Sequence, residues 1–142
     1  MVLTTVLPSA STFLRGLRRL KNPFLSSYQV RDKSFCIKNN EEFLSKVMNS
    51  QIPVIVNFHA EWCDPCHILT PKLRALTDQS EEVNLAIVDV EANPELVHTF
   101  EVKAVPAVLA IRNGLVVDKF IGLVDATMIE KLVNRLTGKC MK

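Results

Sequence analysis

Cys63 and Cys66 stand with two residues between them in the run Trp62-Cys63-Asp64-Pro65-Cys66. That spacing lets two thiols cycle between a dithiol and a small disulfide ring. The run follows Val54-Ile55-Val56-Asn57-Phe58, a stretch rich in β-branched residues and apolar on both faces, as in a strand covered on both sides. After it, Leu69, Leu73 and Leu76 share one stripe of a helical pattern reaching about Gln79. A strand-to-helix junction is a favourable place for a reactive thiol. The helix N-terminus carries roughly half a positive charge and unpaired N–H groups, which stabilise a thiolate. Cys63, at the first turn, is therefore expected to be the exposed nucleophile that attacks a disulfide. Cys66, one turn inward, is placed to resolve the mixed disulfide that results. Pro65 suits a helix start and stiffens the pair.

Two other chemistries share this spacing. Half a zinc site needs two further ligands at a plausible distance, but Cys36 and Cys140 are isolated and the three histidines form no pair. Cys63-x-x-Cys66-His67 also matches the c-type haem attachment pattern, which belongs in a chain built around a buried haem. An alternating strand and helix pattern argues against both. No metal and no bound cofactor are expected; the redox group is the Cys63–Cys66 pair itself. Cys36, in the middle of a strand pattern, is expected to be a buried core thiol, and Cys140, near the C-terminus, a free or intermolecular thiol or one with no role.

The chain has 142 residues, enough for one ordinary domain and an appendage. Its net charge of +2 hides an asymmetry. Residues 1–31 hold Arg15, Arg18, Arg19, Lys21 and Arg31 and no acid, whereas residues 32–142 hold 12 basic residues against 15 acids. A mildly acidic body gives no electrostatic reason to bind nucleic acid. No apolar run is long enough to cross a membrane. The basic, acid-free, hydroxyl-bearing leader reads as a mitochondrial transit segment, and Phe13, Leu14, Leu17 and Leu20 share one helical face. A secretory signal would place its positive charge before the apolar stretch, and here the charge follows it. The expected organisation is a transit segment over residues 1–31 and one domain over 32–142, acting in the mitochondrial matrix.

The elements around the pair follow from pattern and capping. Ser34–Ile37 reads as a strand, and Asn39 caps a helix carrying Phe43, Leu44 and Val47. Val83–Val90 reads as another strand, followed by a short helix opened by Pro94. Arg112-Asn113-Gly114 joins Ala107–Ile111 to Leu115–Phe120 as a hairpin. Asp125 caps a last helix that Gly138 ends. Strands joined through helices are expected to run parallel, with the hairpin adding an antiparallel edge. The fold class is α/β: a mixed five-stranded sheet flanked by helices on both faces.

Several separate stretches resemble the thioredoxin family, in its order and at compatible spacing. They are Val56-Asn57-Phe58-His59-Ala60-Glu61-Trp62-Cys63-Asp64-Pro65-Cys66, then Pro71, Ala104-Val105-Pro106, Arg112-Asn113-Gly114 and Phe120-Ile121-Gly122. The resemblance covers residues 34–138 and looks most like the mitochondrial type. It implies the thioredoxin fold, with Cys63 attacking and Cys66 resolving in the reduction of protein disulfides. It also implies a cis peptide at Pro106, and a shallow surface of Trp62, Val105, Pro106, Ile121 and Gly122 holding an extended substrate. The implied partners are disulfide-containing proteins and an NADPH-dependent thioredoxin reductase, with the chain itself a monomer. The rival reading is a thioredoxin-like interaction module that uses the same surface with weak or no turnover.

The sequence departs from the family pattern at positions that bear on mechanism. Asp64 replaces the usual glycine, and a carboxylate about 6 Å from a thiolate disfavours it by roughly 0.7–1 kcal/mol under near-aqueous screening. His67 replaces a lysine or arginine, and Ala107 the threonine after the proline. Asn57 stands where the family keeps a buried acid, and Ile87 where that acid's lysine partner sits. Both charges are gone together, which avoids stranding either one in the core. Because an amide cannot take a proton, Asn57 is expected to slow deprotonation of Cys66; the alternative is a repacked core with no functional consequence.

Overall fold

The computed structural model describes residues 32–139. The leader expected over residues 1–31 and the Cys140 thiol lie outside these residues. Strand β1 (Ser34–Ile37) is followed by α1 (Asn40–Phe43), which continues as a π-helical turn over Leu44–Met48. Then come β2 (Val54–His59), α2 (Asp64–Gln79), β3 (Asn84–Asp89), α3 (Pro94–Thr99), β4 (Ala107–Arg112), β5 (Leu115–Ile121) and α4 (Ala126–Thr137). The expected caps are in place. Asn39 accepts from the Glu42 N–H and Asp125 from the Met128 N–H, each at 2.8 Å, and Gly138 ends α4 in the left-handed region.

The five strands lie in the order β1-β3-β2-β4-β5. β2 is central and fully buried from Val54 to Phe58, which accounts for its apolar character on both faces. Alternation along β2 divides the core. Val54, Val56 and Phe58 pack with Phe43, Val47 and Leu96 from α1, its π turn and α3. Ile55 packs on the opposite face with Leu69 and Leu73 of α2 and Ile129, Leu132 and Leu136 of α4. The site thus rests on a sheet braced from both sides.

Two expectations are corrected here. β4 is joined to β3 through a helix but runs antiparallel to β2, which itself runs parallel to β3. The reason is length. α3 has six residues and rises about 9 Å, under half of the roughly 20 Å a six-residue strand spans. The chain therefore re-enters the sheet at the end where Asp89 left it, and Ala107 pairs opposite Phe58. Second, Cys36 is exposed rather than a core thiol. β1 is an edge strand, and Phe35 and Ile37 turn toward one core cluster, so Cys36 faces the other way at the rim of the sheet.

The hairpin between β4 and β5 turns on Asn113 and Gly114, both with positive φ (52° and 74°). This is the geometry that an Asn-Gly pair adopts at least cost. Lys119 of β5 donates through Nζ to the carbonyls of Phe100 (2.9 Å) and Glu101 (3.0 Å), pinning the segment between α3 and β4. Phe43 is 1% exposed and meets the Phe100 ring at 5.3 Å between centroids. Phe43→Ala is expected to lower stability by about 3–5 kcal/mol in urea unfolding, with the cavity left between α1 and the sheet. A loss under 1 kcal/mol would show that this layer carries little of the fold.

Candidate active site

α2 begins at the end of β2 after the turn Ala60–Cys63, closed by a Cys63 N–H to Ala60 carbonyl bond of 3.2 Å. Cys63 is the N-cap residue, one position earlier than the first helical turn. Its Sγ accepts the backbone N–H of Cys66 at 3.2 Å, as a serine or aspartate oxygen does at other helix starts. The same N–H also reaches the Cys63 carbonyl at 3.1 Å, so the helix shares this donor between the two acceptors of Cys63 and turns its positive end toward one sulfur. Cys63 and Cys66 are joined as a disulfide, with Cα atoms 5.3 Å apart. Asp64 and Pro65 occupy the first helical positions and are exposed.

Cys63 is not the exposed residue expected from its position. It is 4% exposed and Cys66 1%, because the pair packs with Ala60, Val90 and Val105.

The Val105–Pro106 peptide is cis, and the Pro106 carbonyl accepts the Gly122 N–H at 2.8 Å. This bond ties the β4 entry to the end of β5, so Val105, Pro106, Ile121 and Gly122 form one rim. Gly122 has φ of 90°, a conformation other residues rarely take. Trp62 is 67% exposed and Ile121 56%. A groove of about 160 Å³ runs between Trp62, Val90, Val97, Val102, Lys103 and Val105. The indole Nε1–H of Trp62 donates to Glu91 Oε1 at 3.0 Å, fixing the ring over this groove. Glu91 carried no signal in the sequence, since it lies 29 residues from Trp62 and meets it only through the β2–β3 pairing.

Asn57, in the middle of β2, is fully buried. It pairs with Ile87 across β2 and β3, which makes the two positions direct neighbours on the α2 face of the sheet. Asn57 Nδ2–H donates to Thr70 Oγ1 at 2.8 Å, a partner that sequence reading did not single out. Asn57 Oδ1 has no hydrogen-bond partner. A buried acceptor left bare in this way costs about 1–3 kcal/mol. Among the described residues, no cluster of three or more His, Cys, Asp or Glu could hold a metal ion.

The protein-family model described as Thioredoxin matches residues 34–135. The chain belongs to the thioredoxin family. It is 42% identical over 126 residues to mitochondrial thioredoxin of Rattus norvegicus, covering 87% of this chain and 76% of the rat protein. It is 42% identical over 111 residues to that of Bos taurus, covering 78% and 67%. Among solved structures, a mutant thioredoxin from Halobacterium salinarum superposes with a TM-score of 0.69 at 26% identity, over 75% of this chain and 92% of that one. The chain is a thiol–disulfide oxidoreductase of this family, with Cys63 and Cys66 as its redox pair.

The neighbouring positions of Asn57 and Ile87 carry a prediction for stability. Asn57→Asp alone buries a carboxylate without a cation and is expected to cost about 3–5 kcal/mol, or to be taken up protonated. Ile87→Lys alone buries an ammonium or forces it outward. The two together are expected to recover part of each loss in a double-mutant cycle by denaturant unfolding. Additive losses would mean that the positions do not communicate.

Proposed function

We propose that this chain reduces disulfides of protein substrates in the mitochondrial matrix and is itself reduced by an NADPH-dependent thioredoxin reductase. The observation that carries the reading is the Cys66 N–H directed at Cys63 Sγ at the start of α2. In the reduced protein that donor and the helix dipole favour the Cys63 thiolate. The Cys63 thiolate attacks one sulfur of the substrate disulfide, forms a mixed disulfide and releases the first substrate thiolate. Cys66 then loses its proton and attacks Cys63 Sγ. The second substrate thiolate leaves, and the Cys63–Cys66 disulfide closes. The two electrons that leave with the substrate are replaced by the reductase.

Trp62, Val105, Pro106, Ile121 and Gly122 hold the substrate segment in extended form beside the disulfide, and the adjoining groove takes an apolar side chain. Asp64, Pro65, Asn57 and Pro106 modulate the pair. Residues 1–31 are the transit segment and 32–142 the catalytic domain. The acid-free basic leader and the mitochondrial thioredoxins among the relatives support this placement.

A second reading is a module that holds partners without turnover. The burial of Cys63 and the bare Asn57 Oδ1 favour it. Insulin reduction with thioredoxin reductase and NADPH separates the two: the enzyme turns over, and the module does not. Trapping then assigns the sulfurs. Cys66→Ser is expected to accumulate mixed disulfides with substrates and Cys63→Ser to accumulate none, read on non-reducing gels. Equal trapping by both variants contradicts the assignment.

A further inference from the structure

Thr70 follows Cys66 by four residues on α2, so the two side chains sit one turn apart on the same face, about 5–6 Å between Cβ atoms. Asn57 is bonded to Thr70 and so lies against that face. Its Nδ2 is committed to the Thr70 hydroxyl, and its Oδ1 is buried and bare in the disulfide form. The strand partners of Asn57 are Ile87 and Val108, neither of which offers a side-chain donor. Cys66 is 1% exposed, and its sulfur carries no proton while the disulfide is closed.

We propose that Thr70 is a positioning residue for the resolving thiol: by holding Nδ2, it leaves Asn57 Oδ1 as the acceptor for the Cys66 S–H that reduction creates. The inference rests on Cys63 and Cys66 cycling between dithiol and disulfide. When a dithiol such as dithiothreitol reduces the pair, the Cys63–Cys66 bond breaks and the reagent closes to its own disulfide. Its two protons pass to the two sulfurs. Cys63, at the helix start, can shed its proton to water, whereas Cys66 keeps its own and donates it to Oδ1. The acceptor that is bare in the oxidised protein is satisfied in the reduced one, so the Asn57–Thr70 pair favours the reduced, protonated state of Cys66. Without Thr70 the amide is free to turn, and that preference is lost.

The test is the equilibrium of each variant with dithiothreitol or glutathione, measured beside thermal unfolding of the oxidised protein. Thr70→Val is expected to lower the equilibrium constant for reduction three- to tenfold, up to about 30 mV at 29.6 mV per tenfold. Thr70→Ser, which keeps the hydroxyl, is expected to restore it to within about twofold. A structural role alone would lower the unfolding temperature and leave the equilibrium constant unmoved, and that result overturns the proposal. So does an equal fall in the serine variant. If Thr70→Val does not fold, the side-chain amide signals of Asn57 in the unmodified protein decide. Displacement of those signals on reduction supports the bond, and unmoved signals refute it. Insulin reduction on the same samples keeps the questions apart, since its failure with exchange equilibria intact counts against the enzyme reading and not against Thr70.

Discussion

The contact on which the site depends is the one between a backbone N–H and a sulfur at the start of α2. The N–H groups of a helix's first turn lack a partner within the helix, and Pro65 has none to offer. Here the Cys66 N–H is shared between the carbonyl of Cys63 at 3.1 Å and its side chain at 3.2 Å. A sulfur in the N-cap position does for this helix what an oxygen usually does, and in return receives the positive end of a 16-residue dipole. The rest of the fold holds that end of the helix still. β2 delivers the turn from the centre of the sheet, and Leu69 and Leu73 fasten the helix to Ile55 and Leu85. The cis peptide before Pro106 ends the segment entering β4, and Val105 packs against the pair.

The same arrangement separates two sulfurs that are chemically identical in the sequence. Both pack with Val90 and Val105, but one caps the helix and the other lies within its first turn, four residues before the Thr70 that holds Asn57. Uncharged side chains at Asn57 and Ile87 spare the core a costly desolvation. Asn57 is still a polar group whose hydrogen bonds are only partly made, and such a group, bonded to the helix that carries the redox pair, is sensitive to the state of that pair. In this chain stability and redox chemistry meet at one side chain.

Much of this was legible in the sequence because it is local. The caps at Asn39 and Asp125, the Asn113-Gly114 turn and the doubly apolar strand are each written within a few residues, and the resemblance to a family supplied the cis proline. What failed or was missed depends on which elements become neighbours. The direction of β4 follows from α3 being too short to retrace a strand. Cys36 turned outward because β1 lies at the sheet edge, a fact about strand order rather than about its own segment. Cys63 proved buried because Val90 and Val105, from two other strand ends, close over it. Glu91 and Thr70 act across 29 and 13 residues, and neither belongs to a motif.

The start of α2 makes Cys63, and not Cys66, the reactive thiol. Brief iodoacetamide labelling of the fully reduced protein, at about pH 6.5 and so roughly two units below the ordinary thiol pKa of ~8.5, shows which sulfur reacts first. Site-resolved mass spectrometry should find the label on Cys63 well before Cys66. Equal labelling of the two, or earlier labelling of Cys66, would contradict the account.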